Sequence, residues 1–209
     1  MLIGNINIVV LIIIVTSIFS YLAWQKEDIF RKFLLSPYEV VHRKRYFQIL
    51  THGFLHAGWM HLIINMLVFW SFGSVVIQYF DLLWGDLKNI MFLFLYLSAI
   101  IVSSLYSIIK HKDNYYYSAV GASGATSAIV FTSMFFDPWN KIYFFGVLPI
   151  PGILFGVIYL IYSYQMAKKA KDNIGHDAHF WGAVYGFVFP LFFKPELWEY
   201  FYLRLINFN

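Results

Sequence analysis

Three places in this 209-residue chain carry side chains suited to acyl transfer. His61 and Asn65 stand four residues apart, a spacing that sets both on one face of a helix. Ser123 sits within Gly121-Ala122-Ser123-Gly124, and His179 within Ala178-His179-Phe180-Trp181-Gly182. Serine is a poor nucleophile until a base takes its proton. A neutral imidazole can take it and later return it to the leaving amine. The tetrahedral oxyanion then needs donors, and the Asn65 amide, an N–H of His61 and the backbone N–H of Ser123 can supply them. With Ser123 at a helix start, free N–H groups and the helix dipole favour negative charge there. The flanking Gly121 and Gly124 permit close approach of chain and substrate.

Such groups need elements to hold them, and the composition says which kind. The chain is 60% hydrophobic, 22% aromatic and 12% charged, against about 25% charged in an ordinary soluble domain. Because a bilayer penalises charge and unpaired backbone, stretches free of Asp, Glu, Lys and Arg outline membrane-crossing helices. Six emerge, at 6–24, 58–80, 89–109, 119–136, 142–166 and 178–193, bounded by charges or turn signals such as Asp137-Pro138 and Asp172-Asn173. The first is long enough to cross and lacks the basic lead and cleavage site of a signal peptide. Residues 25–57 are too polar to cross and too aromatic for a free linker, so they are expected to form a structured interfacial loop with Tyr38, Tyr46, Phe47 and Phe54. The expected fold is an all-α membrane protein, one six-transmembrane-helix bundle over 1–209. The net charge of +4 lies in short loop runs and gives no basic face for nucleic acid. There is no cysteine, which excludes disulfides and thiolate metal sites.

The even-numbered spans run the same way across the bilayer and can be measured from a shared end. Asn65, Ser123 and His179 lie 15, 13 and 14 residues from Phe80, Phe136 and Phe193, about 20–22 Å at the helical rise. They share a level some 10 Å below the opposite surface of a core about 30 Å thick, which calls for a water-filled cavity. No carboxylate lies deep in the fourth or sixth span to orient the histidine. Asp177 points about 200° around the helix from His179, so the expectation is a Ser-His dyad.

Each residue also has a plainer reading. A serine among glycines in a membrane helix usually packs, and His61 with Asn65 can simply bond between helices. Gly182 and Gly186, like Gly152 and Gly156, are assigned to packing. His42, His111 and His176 read as solvated loop residues. His52, His56 and His61 raise a zinc site, which the missing His-Glu-x-x-His pattern and the absence of a carboxylate in the span disfavour; no metal or cofactor is expected. A transporter is disfavoured because no pair of spans shows inverted-repeat symmetry.

His52 with His56, His61 with Asn65, the Gly-Ala-Ser-Gly of 121–124, and Ala178-His179 with Gly182 and Gly186, taken in this order, resemble the rhomboid intramembrane proteases over essentially the whole chain. The resemblance implies Ser123 as nucleophile, His179 as general base, His61 and Asn65 as oxyanion donors, and His56 as a structural residue near the lead-in loop. It implies transmembrane protein substrates in a bilayer and a multi-pass location, read here as a bacterial inner membrane. Rhomboid-like proteins that bind membrane clients without cutting them are the alternative, but these lack the serine or the histidine. Two positions depart from the family. Ser127 stands where an aromatic residue often stacks on the catalytic histidine, and Ile77-Gln78 where an acidic residue often ends the second span. The resemblance also implies a cytoplasmic N-terminus. The positive-inside count opposes it, since 11 of the 15 Lys and Arg fall in loops on the expected outer side. The folded first loop is expected to escape that rule.

Overall fold

Asn7 opens the first helix by accepting from Val9 N at 3.1 Å and Val10 N at 3.4 Å, the expected act of an N-cap asparagine. The apolar run behind it forms α1, Ile8–Trp24. In the computed structural model, which describes residues 7–144, 147–169 and 174–207, the chain is mostly helical. Ile6, at the start of the first expected span, and the turn expected at Asp172-Asn173 lie outside the described residues.

The segment after α1 is folded, as its aromatic content led us to expect. It holds α2 (Glu27–Phe33), α3 (Pro37–His42) and α4 (Gln48–Thr51), which runs into a 3-10 turn at His52–Phe54. In α2, Glu27 and Asp28 open the helix and Arg31 and Lys32 close it, a charge order that complements the helix dipole. Ser36 caps α3, with Pro37 in the first turn. Four long helices follow the same logic of apolar runs ended by turns: α5 (Trp59–Trp84), α6 (Lys88–His111), α7 (Ser123–Phe136) and, later, α9 (His176–Phe193).

The fifth span departs from the expectation. Of residues 142–166, the first part is a β-hairpin, β1 (Lys141–Phe144) paired antiparallel with β2 (Leu148–Pro151), and only then does α8 (Gly152–Lys169) begin. Pro149 and Pro151 explain it, because proline cannot donate within a helix and drives the residue before it to extended backbone. Two other boundaries shift by a full turn, α5 running on past Phe80 to Trp84 and α7 beginning four residues after position 119, and α10 (Leu197–Ile206) was not anticipated.

Ring contacts fix the helix directions. Trp59, at the start of α5, meets Trp24 at the end of α1 (4.8 Å), and Gly73 meets Val9, so α1 and α5 are antiparallel. His61 lies against Gly121, just ahead of α7, while Phe80 meets Phe136 at its end, so α5 and α7 are parallel. Gly182 abuts Gly124 and Gly186 abuts Ala128 with one constant offset, so α7 and α9 are parallel too. Tyr159 of α8 reaches Ser127 while the earlier Gly156 reaches Met134, which makes α8 antiparallel to α7. Helix α7 is the centre, every residue from Gly124 to Phe136 being buried.

By length and apolar composition, the α5–α6 stretch Trp59–His111 is the candidate to cross a membrane, whereas α1 and α7 have 17 and 14 residues. α7 is sheathed by protein, so it needs no full hydrocarbon length. The outward faces are apolar: Ile14, Ile18 and Leu22 on α1, Ile63, Ile64 and Leu67 on α5, and Leu154, Ile158 and Ile161 on α8 are all exposed. Apolar surface of this extent marks a face meant for lipid or another apolar partner.

Candidate active site

The site is built on the seam between α7 and α9. A Cβ placed on Gly182 would collide with the Gly124 carbonyl, and one on Gly186 with the Ala128 carbonyl. The two backbones therefore touch, as small residues at a helix interface allow. Thr132 ties the same seam lower down. Pro190 has no N–H to give the Gly186 carbonyl, and the Thr132 hydroxyl donates to that carbonyl instead at 2.7 Å.

Ser123 is the first residue of α7 and is half-buried, and so is His179 in α9. Gly124, directly after the serine, lies against the Ala178 carbonyl, directly before the histidine; a Cβ on Gly124 would stand 3.2 Å from that oxygen and would also crowd Ser103 of α6. The Ser123 and His179 motifs thus meet across the seam.

The His61 motif joins them on the other side. Gly121 has φ +119°, in the region that favours glycine, and a Cβ there would stand 2.7 Å from His61 Cε1 and 2.9 Å from its Nε2. Gly121 N also donates to the His52 carbonyl at 3.0 Å, which anchors this loop to the 3-10 turn. Asn65 is buried one turn after His61 and donates through Nδ2 to the His61 carbonyl at 2.9 Å. An amide nitrogen carries two donors, so one remains for another acceptor.

His56 is fully buried behind His61, with ring centroids 4.9 Å apart. Its Nδ1 lies 3.0 Å from the Ser20 hydroxyl, and its carbonyl accepts from Trp24 Nε1 at 2.6 Å. α1 thereby fastens the lead-in next to His61. Burial pushes the His52 ring down to about 4. It pushes His56 down to about 3, with the neighbouring His61 adding to the effect. Asp177 turns to its own backbone, accepting from Ala178 N at 2.9 Å.

Two aromatic contacts were not anticipated. Tyr159 of α8 stacks beside His179, with centroids 6.3 Å apart and planes 22° apart, and its hydroxyl lies 2.6 Å from Ser127 Oγ. Nothing in the spacing of α8 singles it out from Tyr162 or Tyr164; the signal available was the small Ser127, which leaves room for a ring from elsewhere. His176 corrects a second expectation. It is buried, 4% exposed, and its ring meets Tyr162 and His179, because α9 starts there and carries it inward. His42, by contrast, is exposed and pairs with Asp113, and His111 stacks on Tyr117.

The family model described as "Rhomboid domain" matches residues 43–196. The chain is also similar to RHOMBOID-like protein 12, mitochondrial, of Arabidopsis thaliana, at 25% identity over 150 residues, 65% of this chain. It spans 43% of that relative's length. The matched segment holds each of the motifs just described, and the chain belongs to the rhomboid family.

Proposed function

We propose that the protein is an intramembrane serine endopeptidase whose six long helices cross a bilayer. It hydrolyses peptide bonds in or near transmembrane segments of membrane proteins. Ser123 is the nucleophile and His179 the general base. His61, Asn65 and the Ser123 N–H receive the oxyanion. The observation that carries this reading is the convergence on the four residues 121–124, with Gly121 against His61 and Gly124 against the carbonyl next to His179. A packing serine needs neither neighbour.

Ser123 stands at the start of α7, where helix geometry leaves N–H groups without intrahelical partners and the dipole favours negative charge. In the acylation step His179 takes the hydroxyl proton as Ser123 Oγ bonds to the scissile carbonyl carbon. The proton then passes to the amine as the C–N bond breaks, and water repeats the sequence to free the acid. A helical substrate cannot offer its carbonyl to Ser123, so small residues near a helix-destabilised segment are the favoured cut. Access falls to α8, which directly follows the hairpin strand containing Pro149 and Pro151. The relative's mitochondrial label gives no support to a bacterial membrane in particular, so the proposal keeps residence in a bilayer and leaves the bacterial assignment aside.

Reconstituted protein should cleave a transmembrane reporter and take a fluorophosphonate label. Ser123→Ala should abolish both, and so should His179→Ala, a loss on the order of 10⁶-fold, with melting in detergent preserved. Cleavage that survives both changes excludes the mechanism. Client binding intact in both, with no cleavage by the unaltered chain, selects the non-enzymatic alternative.

A further inference from the structure

The geometry points to Tyr159 as a positioning residue: α8 supplies the ring that holds His179 for proton transfer. This deepens the protease reading and rests on it. The phenol lies 2.6 Å from Ser127 Oγ, whose own hydroxyl donates to the Ser123 carbonyl at 2.9 Å. The ring is thereby tied to the helix of the nucleophile one turn below it, while it runs nearly parallel to the imidazole of the base, with centroids 6.3 Å and planes 22° apart. Phe131 at 5.7 Å and Phe155 at 5.9 Å pack against Tyr159 and limit its rotation. Both halves of the dyad are thus referenced to one side chain on a third helix.

Two consequences follow from the chemistry. A flat neighbour restricts rotation of the imidazole about its second torsion, which keeps one nitrogen aimed at the hydroxyl. When the base takes the proton it becomes a cation, and an aromatic face within about 6 Å attracts a cation. The second effect exists only while the imidazolium exists, so it lowers the barrier and leaves substrate binding alone. The ring carries both effects; the hydroxyl only fixes the ring.

The test compares full-length wild type, Tyr159→Leu, Tyr159→Phe and the double variant Tyr159→Leu with Ser127→Phe, all in detergent. It follows the rate of fluorophosphonate labelling, kcat and KM for a transmembrane reporter, and thermal melting. Tyr159→Leu should label roughly tenfold more slowly and lose kcat to match, with KM unchanged. Tyr159→Phe should stay within about threefold of wild type, and Ser127→Phe in the leucine background should regain part of the loss. Labelling of Tyr159→Leu at the wild-type rate overturns the inference, as does a Tyr159→Phe loss equal to that of Tyr159→Leu. Should the leucine variant fail to fold, Tyr159→Met removes the ring and keeps a long apolar side chain. It is expected to slow labelling by roughly tenfold, and an unchanged rate overturns the inference. A wild-type chain that takes no label sinks the protease reading itself, a result distinct from a labelled wild type and an equally labelled leucine variant.

Discussion

At Gly121 two separate demands meet in one residue. Its φ of +119° is strained for any side chain, and the space its Cβ would need is held by the His61 ring. Gly121→Ala should therefore destabilise the chain by about 1–3 kcal/mol through the backbone alone. It should also displace His61 and slow fluorophosphonate labelling by roughly tenfold, given what one misplaced oxyanion donor does. Labelling kinetics and a melting curve on the same sample separate the two effects. A labelling rate equal to wild type would remove His61 from the proposed oxyanion site. The spacing of 61 and 65 and the Gly-Ala-Ser-Gly run were legible in sequence because they are local patterns. The contact of Gly121 with His61 was not, since sixty residues separate them.

Among the elements, the seam between α7 and α9 depends on the absence of side chains more than on their presence. The Cβ of Gly182→Ala or Gly186→Ala would meet backbone carbonyls of α7, which cannot rotate aside, so the helices must part. Overpacking of this kind costs about 1–3 kcal/mol or more. Gly156→Ala, by contrast, would meet the Met134 sulfur at 3.0 Å, the flexible end of a side chain, and it gains helix propensity. Gly58→Ala meets nothing within 4 Å. Melting in detergent should rank these variants, with Gly182→Ala and Gly186→Ala well below wild type and Gly156→Ala and Gly58→Ala near it. If all four melt alike, backbone contact does not hold the seam. Small-residue spacing marked Gly182 and Gly186 as packing sites from sequence alone. What each would collide with came only from the fold.

For the whole molecule, the folded lead-in is a source of pH dependence. His52 and His56 titrate at about 4 and about 3 in the folded chain because both rings are buried, against about 6.5 for an exposed histidine. As pH falls below about 6.5 the unfolded chain takes up these protons first. The stability contributed by the neutral rings is complete above that value and is lost as the pH descends toward 4 and 3. Each group removes roughly 1.4 kcal/mol per pH unit inside that window. Melting points in detergent should hold between pH 7 and 8 and fall steeply from pH 6 to pH 4, and His52→Gln should roughly halve the slope. A flat profile across pH 6 to 4 would show that these rings are not buried in the protein.

The sequence by itself determined the helical class, the order of the apolar segments and the motifs on which the proposed chemistry rests. Charge avoidance, glycine spacing and helical period are local rules that a single strand of residues obeys. Its limits appear at residues 141–151, where prolines impose a hairpin inside a charge-free stretch that reads as helix, and at His176, which a helix start carries into the interior. Tertiary structure alone decided which ring lies beside His179. Ser127 is too small to reach it, and the gap is filled by Tyr159 from an antiparallel helix, a partner chosen by packing across space with no spacing in the chain to announce it.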